Sequence, residues 1–204
     1  MGRLTTYLDY AATAPLRAEV RDAMAAVLAD AVPLGNPTGG HPSAQRARRL
    51  LEDARDDVAA FLGRDPGEIV FTSGGTESAN LAVLGTVEEA QRTRGEAVVL
   101  CSAVEHPAVL ESCRAAATGG AELRELPVDG AGILQRDTLA RALSSRVVLV
   151  AVMTANNETG VVQPLREVVE EVRRRARARA AQRDPGCRRR SRTGDRAAAR
   201  GSGS

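Results

Sequence analysis

Lysine is absent from all 204 residues, so each of the 28 basic side chains is an arginine and no lysine amine is available for Schiff-base chemistry. Tryptophan is absent too, and aromatic residues are only 2% of the chain, so alanine, valine and leucine must fill any core. No apolar run approaches the ~20 residues that a membrane-spanning helix needs. The N-terminus shows no basic segment followed by an apolar one, so no export signal is expected and a cytoplasmic location is. The three cysteines, Cys101, Cys113 and Cys187, have neither metal-ligand spacing nor a disulfide framework, which suits a reducing compartment. No metal site is expected.

Apolar residues also run out at a definite point. Beyond Val172 there is no Val, Ile, Leu, Met, Phe, Trp or Tyr. Charge divides at the same place. Residues 1–172 carry 16 Arg against 24 acidic residues, and residues 173–204 carry 12 Arg against Asp184 and Asp195 alone, so the net charge of +2 conceals an acidic body and a strongly basic tail. Such a tail has little to bury and is expected to be disordered, apart from a helical continuation through residue 182. The expected organisation is one α/β body over residues 1–172 and an Arg/Ala/Gly-rich tail over 173–204.

The most informative stretch is residues 69–81. Ile69-Val70-Phe71 predicts a buried strand, Gly74-Gly75 a tight turn, and Thr76-Glu77 the opening of a helix with an apolar period through Leu81, Ala82 and Leu84. The first amides of a helix have no intrahelical partner and sit at the positive end of its dipole, so this junction has the geometry of a phosphate cradle, with the Thr76 and Ser78 hydroxyls as further donors. Most junctions of this kind are only tight turns.

Around it the chain alternates. The helical pattern of Val20, Met24, Val27 and Leu28 leads to a loop over residues 35–42. Ser43 is then the expected N-cap of a helix presenting Ala47, Leu50, Leu51, Ala54, Val58 and Phe61, with Gly63 at its end. Ala97 to Cys101 reads as a buried strand followed by Glu105-His106-Pro107, where Pro107 suits the first position of a helix. A strand over 122–128, a short helix capped by Asp137, a strand over 147–153 and a helix from Pro164 complete the pattern. The β-branched run at 147–153 belongs at the centre of a parallel sheet. Repeated strand–helix units place ligands at the carboxyl ends of the strands, where Ser73 to Thr76, His106 and Asn156 to Glu158 all fall. Singly these residues are modest: a histidine at a helix start is commonly a cap, and an Asn-Asn-Glu loop is commonly a self-capped turn.

Five ordered segments, 7–15 (Tyr-Leu-Asp-Tyr-Ala-Ala-Thr-Ala-Pro), 35–37 (Gly-Asn-Pro), 71–80 (Phe-Thr-Ser-Gly-Gly-Thr-Glu-Ser-Ala-Asn), 105–109 (Glu-His-Pro-Ala-Val) and 156–164 (Asn-Asn-Glu-Thr-Gly-Val-Val-Gln-Pro), closely resemble the cysteine desulfurases, pyridoxal-phosphate (PLP) enzymes of the class V aminotransferase family. The resemblance implies an α/β fold: the three-layer, mostly parallel sheet of a fold-type I large-domain core, here incomplete. It implies that Gly75 and Thr76 bind the cofactor phosphate, that His106 stacks on the pyridine ring and takes part in proton transfer, and that Asn157 hydrogen-bonds the ring's phenolic oxygen. It further implies a homodimer acting on L-cysteine, which leaves alanine and an enzyme-bound persulfide for iron–sulfur cluster assembly or tRNA thiolation.

The family's later aspartate at the ring nitrogen, its Ser-x-His-Lys lysine and its loop cysteine have no counterparts in this sequence, so PLP cannot be held covalently through a lysine here. Cys101 and Cys113 read as small buried hydrophobes. The resemblance stops near residues 173–175, and the Arg-Ala-Gly-Ser text beyond is what GC-rich codons give out of frame. The expectation is therefore a truncated or frameshifted product, inactive alone. The alternative from another class is a scaffold that binds nucleic acid electrostatically through the basic tail, with no aromatic residue there to stack on bases.

Overall fold

The computed structural model describes residues 6–30 and 33–183, with side chains to residue 178. The chain divides into two compact units between Ser73 and Gly74.

In the first unit, α1 (Ala18–Leu28) buries no residue and α2 (Pro42–Leu62) buries only Ala44 and Ala59. The cap of α2 is His41, not Ser43, because Pro42 takes the first helical position and the His41 ring accepts from the Ala44 amide. Gly63 ends the helix in a left-handed conformation (φ 63°), as a residue without Cβ allows. The segment Ile69–Phe71 is not a strand, and Val70 is 66% exposed. A β-branched run becomes a strand only beside another strand. Here the Ile69 carbonyl instead accepts from Arg55 Nη1 at 2.6 Å, and the Arg55 guanidinium lies 4.9 Å from the centre of the Phe71 ring.

The second unit holds the sheet. Helix α3 (Gly75–Arg94) ends at Gly95 (φ 74°); β1 (Val98–Ser102), α4 (Pro107–Thr118), β2 (Glu122–Leu126), α5 (Arg136–Ala142), β3 (Val147–Ala151) and α6 (Leu165–Arg183) follow. The strands run in the order β2-β1-β3 and both pairings are parallel. Strand β1 is central and buried at all five positions. Its alternate side chains serve two cores. Val99 and Cys101 join Val83, Val87, Ala90, Cys113 and Ala116 on the α3/α4 side, while Val98 and Leu100 join Leu126, Leu134, Leu139 and Val168 on the α5/α6 side. This is the α/β three-layer arrangement of helix, parallel sheet and helix that the resemblance implied.

Two local expectations differ. The cap of α5 is Gln135, with no side-chain cap bond, and Asp137 sits in the first turn instead. Strand β3 lies at an edge of the sheet, half-buried throughout, rather than at its centre. The arginine-rich segment begins as the expected helical continuation, α6 running past Val172 to Arg183. There Arg174 and Arg175, with Arg136 of α5, surround the carboxylate of Glu171, whose side chain is 1% exposed. The hydrogen bond from Arg174 leads the effects that hold the Glu171 carboxyl down at about 2. The remaining tail, expected to be disordered, lies outside the described residues.

Candidate functional site at the carboxyl ends of the strands

Helix α3 enters β1 through a turn of three residues. Its last turn, Thr93 and Arg94, borders a groove with Val147 and Val148 at the start of β3. The helix therefore runs antiparallel to the strands, and its N-terminus lies toward their carboxyl ends. The Gly74 carbonyl accepts from the Ser78 amide at 3.0 Å and from the Ser78 hydroxyl at 3.1 Å, and the Thr76 carbonyl accepts from Asn80 Nδ2 at 2.9 Å. These bonds fix the first turn. They also turn the Ser78 hydroxyl back onto the helix, away from the donor role that the sequence suggested. The amides of Gly75 and Thr76 precede the first intrahelical donor, as in any helix, and the space above Gly74 and Gly75 is open: a Cβ placed on either meets nothing within 4 Å. Thr76 is exposed.

His106 is exposed and occupies the N-cap of α4, where its Nδ1 accepts from the Ala108 amide at 3.1 Å. With Nδ1 acting as acceptor, the neutral ring carries its proton on Nε2. Pro107 follows at the first helical position, as its fixed φ and missing N–H favour.

The loop after β3 is organised by Asn156. Its Oδ1 accepts from the Glu158 amide (2.9 Å), the Thr159 amide (2.8 Å) and the Thr159 hydroxyl (3.1 Å), while its Nδ2 donates to the Val104 carbonyl at 3.0 Å. The last bond crosses from the β3–α6 loop to the β1–α4 loop. A second tie runs the same way: the Met153 amide donates to Glu105 Oε1. Burial pushes the Glu105 carboxyl up, against the bonds from the Met153 amide and the Ser102 hydroxyl. Asn157 is left exposed at the crest of the turn.

Gly75, Thr76, His106 and Asn157 thus all belong to the second unit and to the same end of its sheet, on three separate elements. Two residues that the sequence places beside the predicted site were given no role of their own there. Glu105 and Asn156 flank the predicted His106 and Asn157, and it is they that bind one loop to the other; only the parallel register of β1 and β3 reveals it. Gln163, buried, does similar work on the next loop, donating to the Gly132 carbonyl at 2.7 Å and accepting from the Leu134 amide at 2.9 Å. Cys101 and Cys113 are both fully buried, and a hydrogen bond to Cys113 together with burial holds the Cys101 thiol above its usual range, so it is a packing residue and not a nucleophile. No helix among the described residues is long and apolar enough to cross a membrane.

The aminotransferase class-V family model matches residues 6–180. Among curated relatives, the cysteine desulfurase IscS of Dictyoglomus turgidum is 44% identical over 162 residues, which is 79% of this chain and 40% of the relative; that of Rickettsia akari is 40% identical over 166 residues, 81% of this chain and 40% of the relative. Of solved structures, a NifS-like protein superposes with a TM-score of 0.73 at 32% identity over 80% of this chain and 44% of its own. SspA in complex with cysteine superposes with 0.75 at 30% identity over 84% and 48% respectively. The chain spans about 40% of the length of the curated relatives it matches. On these similarities the chain belongs to the class V aminotransferases, a PLP-dependent family, and within it its relatives are the cysteine desulfurases.

Proposed function

We propose that this chain carries the phosphate- and ring-binding portion of a PLP-dependent cysteine desulfurase site: Gly75 and Thr76 for the phosphate, His106 against the pyridine ring and Asn157 for its phenolic oxygen. What carries the reading is the pair of cross-loop bonds, Glu105 to the Met153 amide and Asn156 to the Val104 carbonyl. They fix the loops bearing His106 and Asn157 beside each other at the strand ends toward which α3 directs its N-terminus. The open space above Gly74-Gly75 fits a phosphate, which the first-turn amides and the Thr76 hydroxyl would hold.

Bound PLP supplies an electron sink for bond cleavage next to an amino-acid nitrogen. This chain's contribution is positional. The Ala108 amide, by donating to Nδ1, keeps the His106 ring in one tautomer and leaves Nε2 as the atom that holds or releases a proton. Asn156, by closing its loop on itself and on Val104, presents the Asn157 amide outward. The substrate class proposed for the site is L-cysteine, with a persulfide handed on to a sulfur acceptor and the active unit a homodimer. The residues at hand fit PLP at its phosphate and ring, and they do not fit a covalent anchor, because the chain has no lysine. Turnover by this chain alone is not expected.

The test is a spectroscopic titration of the 204-residue chain with PLP, beside the Thr76→Val and Gly75→Pro variants. Weak, reversible binding that both substitutions diminish and borohydride does not trap is the expected result, since one phosphate contact must offset lost translational freedom. Equal binding by all three chains, or trapping by borohydride, overturns the reading.

A further inference from the structure

The last three turns of α6 are charged and have no apolar face to bury. Residues 173–183 hold six arginines, no acidic residue and no Val, Ile, Leu, Met, Phe, Trp or Tyr. Part of this charge is used inside the fold, where Arg174 and Arg175, with Arg136 of α5, surround Glu171. The carboxylate offsets only one of the three cations. It is itself 1% exposed, whereas the side chains of Arg136, Arg174 and Arg175 are 61%, 58% and 42% exposed, so the cluster presents net positive charge to solvent. Glu171 accepts two N–H bonds from Arg174 and one each from Arg175 and Arg136; the remaining donors of the three guanidiniums have no partner among the described residues. Arg173 and Arg177, one turn apart and exposed, form no ion pair among the described residues, and with Arg174 and Glu170 they line a surface recess of about 350 Å³.

We infer that this end of α6, with the basic segment that follows it in the sequence, is a binding surface for the phosphate backbone of nucleic acid. A helix that lies on a membrane needs an apolar face to enter the headgroup region, and a specific protein interface needs an apolar core. Residues 173–204 can supply neither, which leaves a partner held by charge alone, a chain of repeated phosphates. Arginine suits that partner, because its planar fork can take two phosphate oxygens at once. Glu171 helps by pinning Arg136, Arg174 and Arg175, which then lose less side-chain freedom on binding. The segment has no aromatic residue to stack on bases, so the contact is to the backbone and independent of base sequence. Residues 1–172, with 24 acidic residues against 16 Arg, repel the same partner and confine contact to this end of the chain. The inference goes beyond PLP binding and stands without it.

The experiment titrates a labelled duplex of about 20 base pairs and mixed sequence with the full chain, reading fluorescence anisotropy between about 50 and about 200 mM salt. Each phosphate contact adds a slope of about −0.9 to log affinity against log salt, so two contacts alone predict a loss of about tenfold over that range, and the chain should lose at least that much. The Arg173→Gln/Arg177→Gln variant keeps the Glu171 cluster and should make the slope shallower by about 1 to 2 with unchanged circular dichroism, whereas Arg21→Gln, on α1, should bind as the parent does. A duplex of scrambled sequence should bind equally well. Absence of binding at the lowest salt, a loss smaller than tenfold, a double variant with the parent's slope, or a tenfold preference for one sequence would each overturn the proposal. Tighter binding to polyglutamate, or to vesicles of phosphatidylcholine and phosphatidylserine, than to the duplex would overturn it too, by making the partner an acidic protein or a membrane.

Discussion

Helices α2 and α3 are nearly the same length, 21 and 20 residues, and both have an apolar face, yet they end differently. Helix α3 buries Val83, Val87 and Ala90 against a parallel sheet and α4. Helix α2 buries two alanines, and its Leu50, Leu51, Val58 and Phe61 stay exposed, Phe61 by 88%. The sequence period says that a face wants covering; it does not say what covers it. The contrast extends to each whole unit. Residues 74–183 close two cores around β1, whereas Tyr10, Leu16, Met24 and Leu28 of the first unit all lie open.

The sharpest way to break this comparison is a pair of truncations. Leu100 is fully buried and Leu100→Ala should cost about 2–5 kcal/mol by lost transfer energy and the cavity left behind, while Phe61→Ala should change stability by less than about 0.5 kcal/mol. Denaturant unfolding followed by circular dichroism reads both, and comparable losses would mean that α2 is covered after all.

A smaller difference separates the neighbouring asparagines. Asn156→Ala removes the side-chain bonds to Glu158, Thr159 and Val104 and should cost about 1–3 kcal/mol, with faster amide exchange at Glu158 and Thr159. Asn157→Ala should leave stability within about 0.5 kcal/mol of the parent and act only on ligand binding. If both destabilise alike, Asn157 is a structural residue and the proposed contact to the cofactor fails.

Glu171 differs from these in that its contribution depends on pH. Its carboxyl is held at about 2 in the folded chain, below its ordinary 4.5, so the stability it contributes is fully present above about 4.5 and is lost as the pH falls toward about 2. Glu171→Gln should flatten that part of the acid limb of a stability-versus-pH curve. An unchanged acid limb would show that the three arginines do not act on the carboxylate as a group.

Much of the second unit was readable from residue order. Gly95 after an apolar helical period, Pro107 after His106, and the apolar runs read as strands at 97–101 and 147–153 each specify their element by a local mechanism, and local mechanisms are what a sequence prints. The same rules fail where the deciding partner is distant. Ile69–Phe71 has strand composition but no strand beside it. Ser43 has a capping side chain, but Pro42 moves the helix start to His41.

The sequence by itself determined the family through its five ordered motifs, the alternation of strands and helices, and the absence of a lysine. Those are properties of identity and spacing. Only the tertiary structure decided that β1 and not β3 is central, that Glu105 and Asn156 join two loops 48 and 52 residues apart, and that the first arginines of the basic segment serve a buried glutamate. The physical reason is common to all three: sheet order, cross-loop hydrogen bonds and charge burial depend on which parts of the chain meet, and a pattern with a period of two or 3.6 residues holds no record of that.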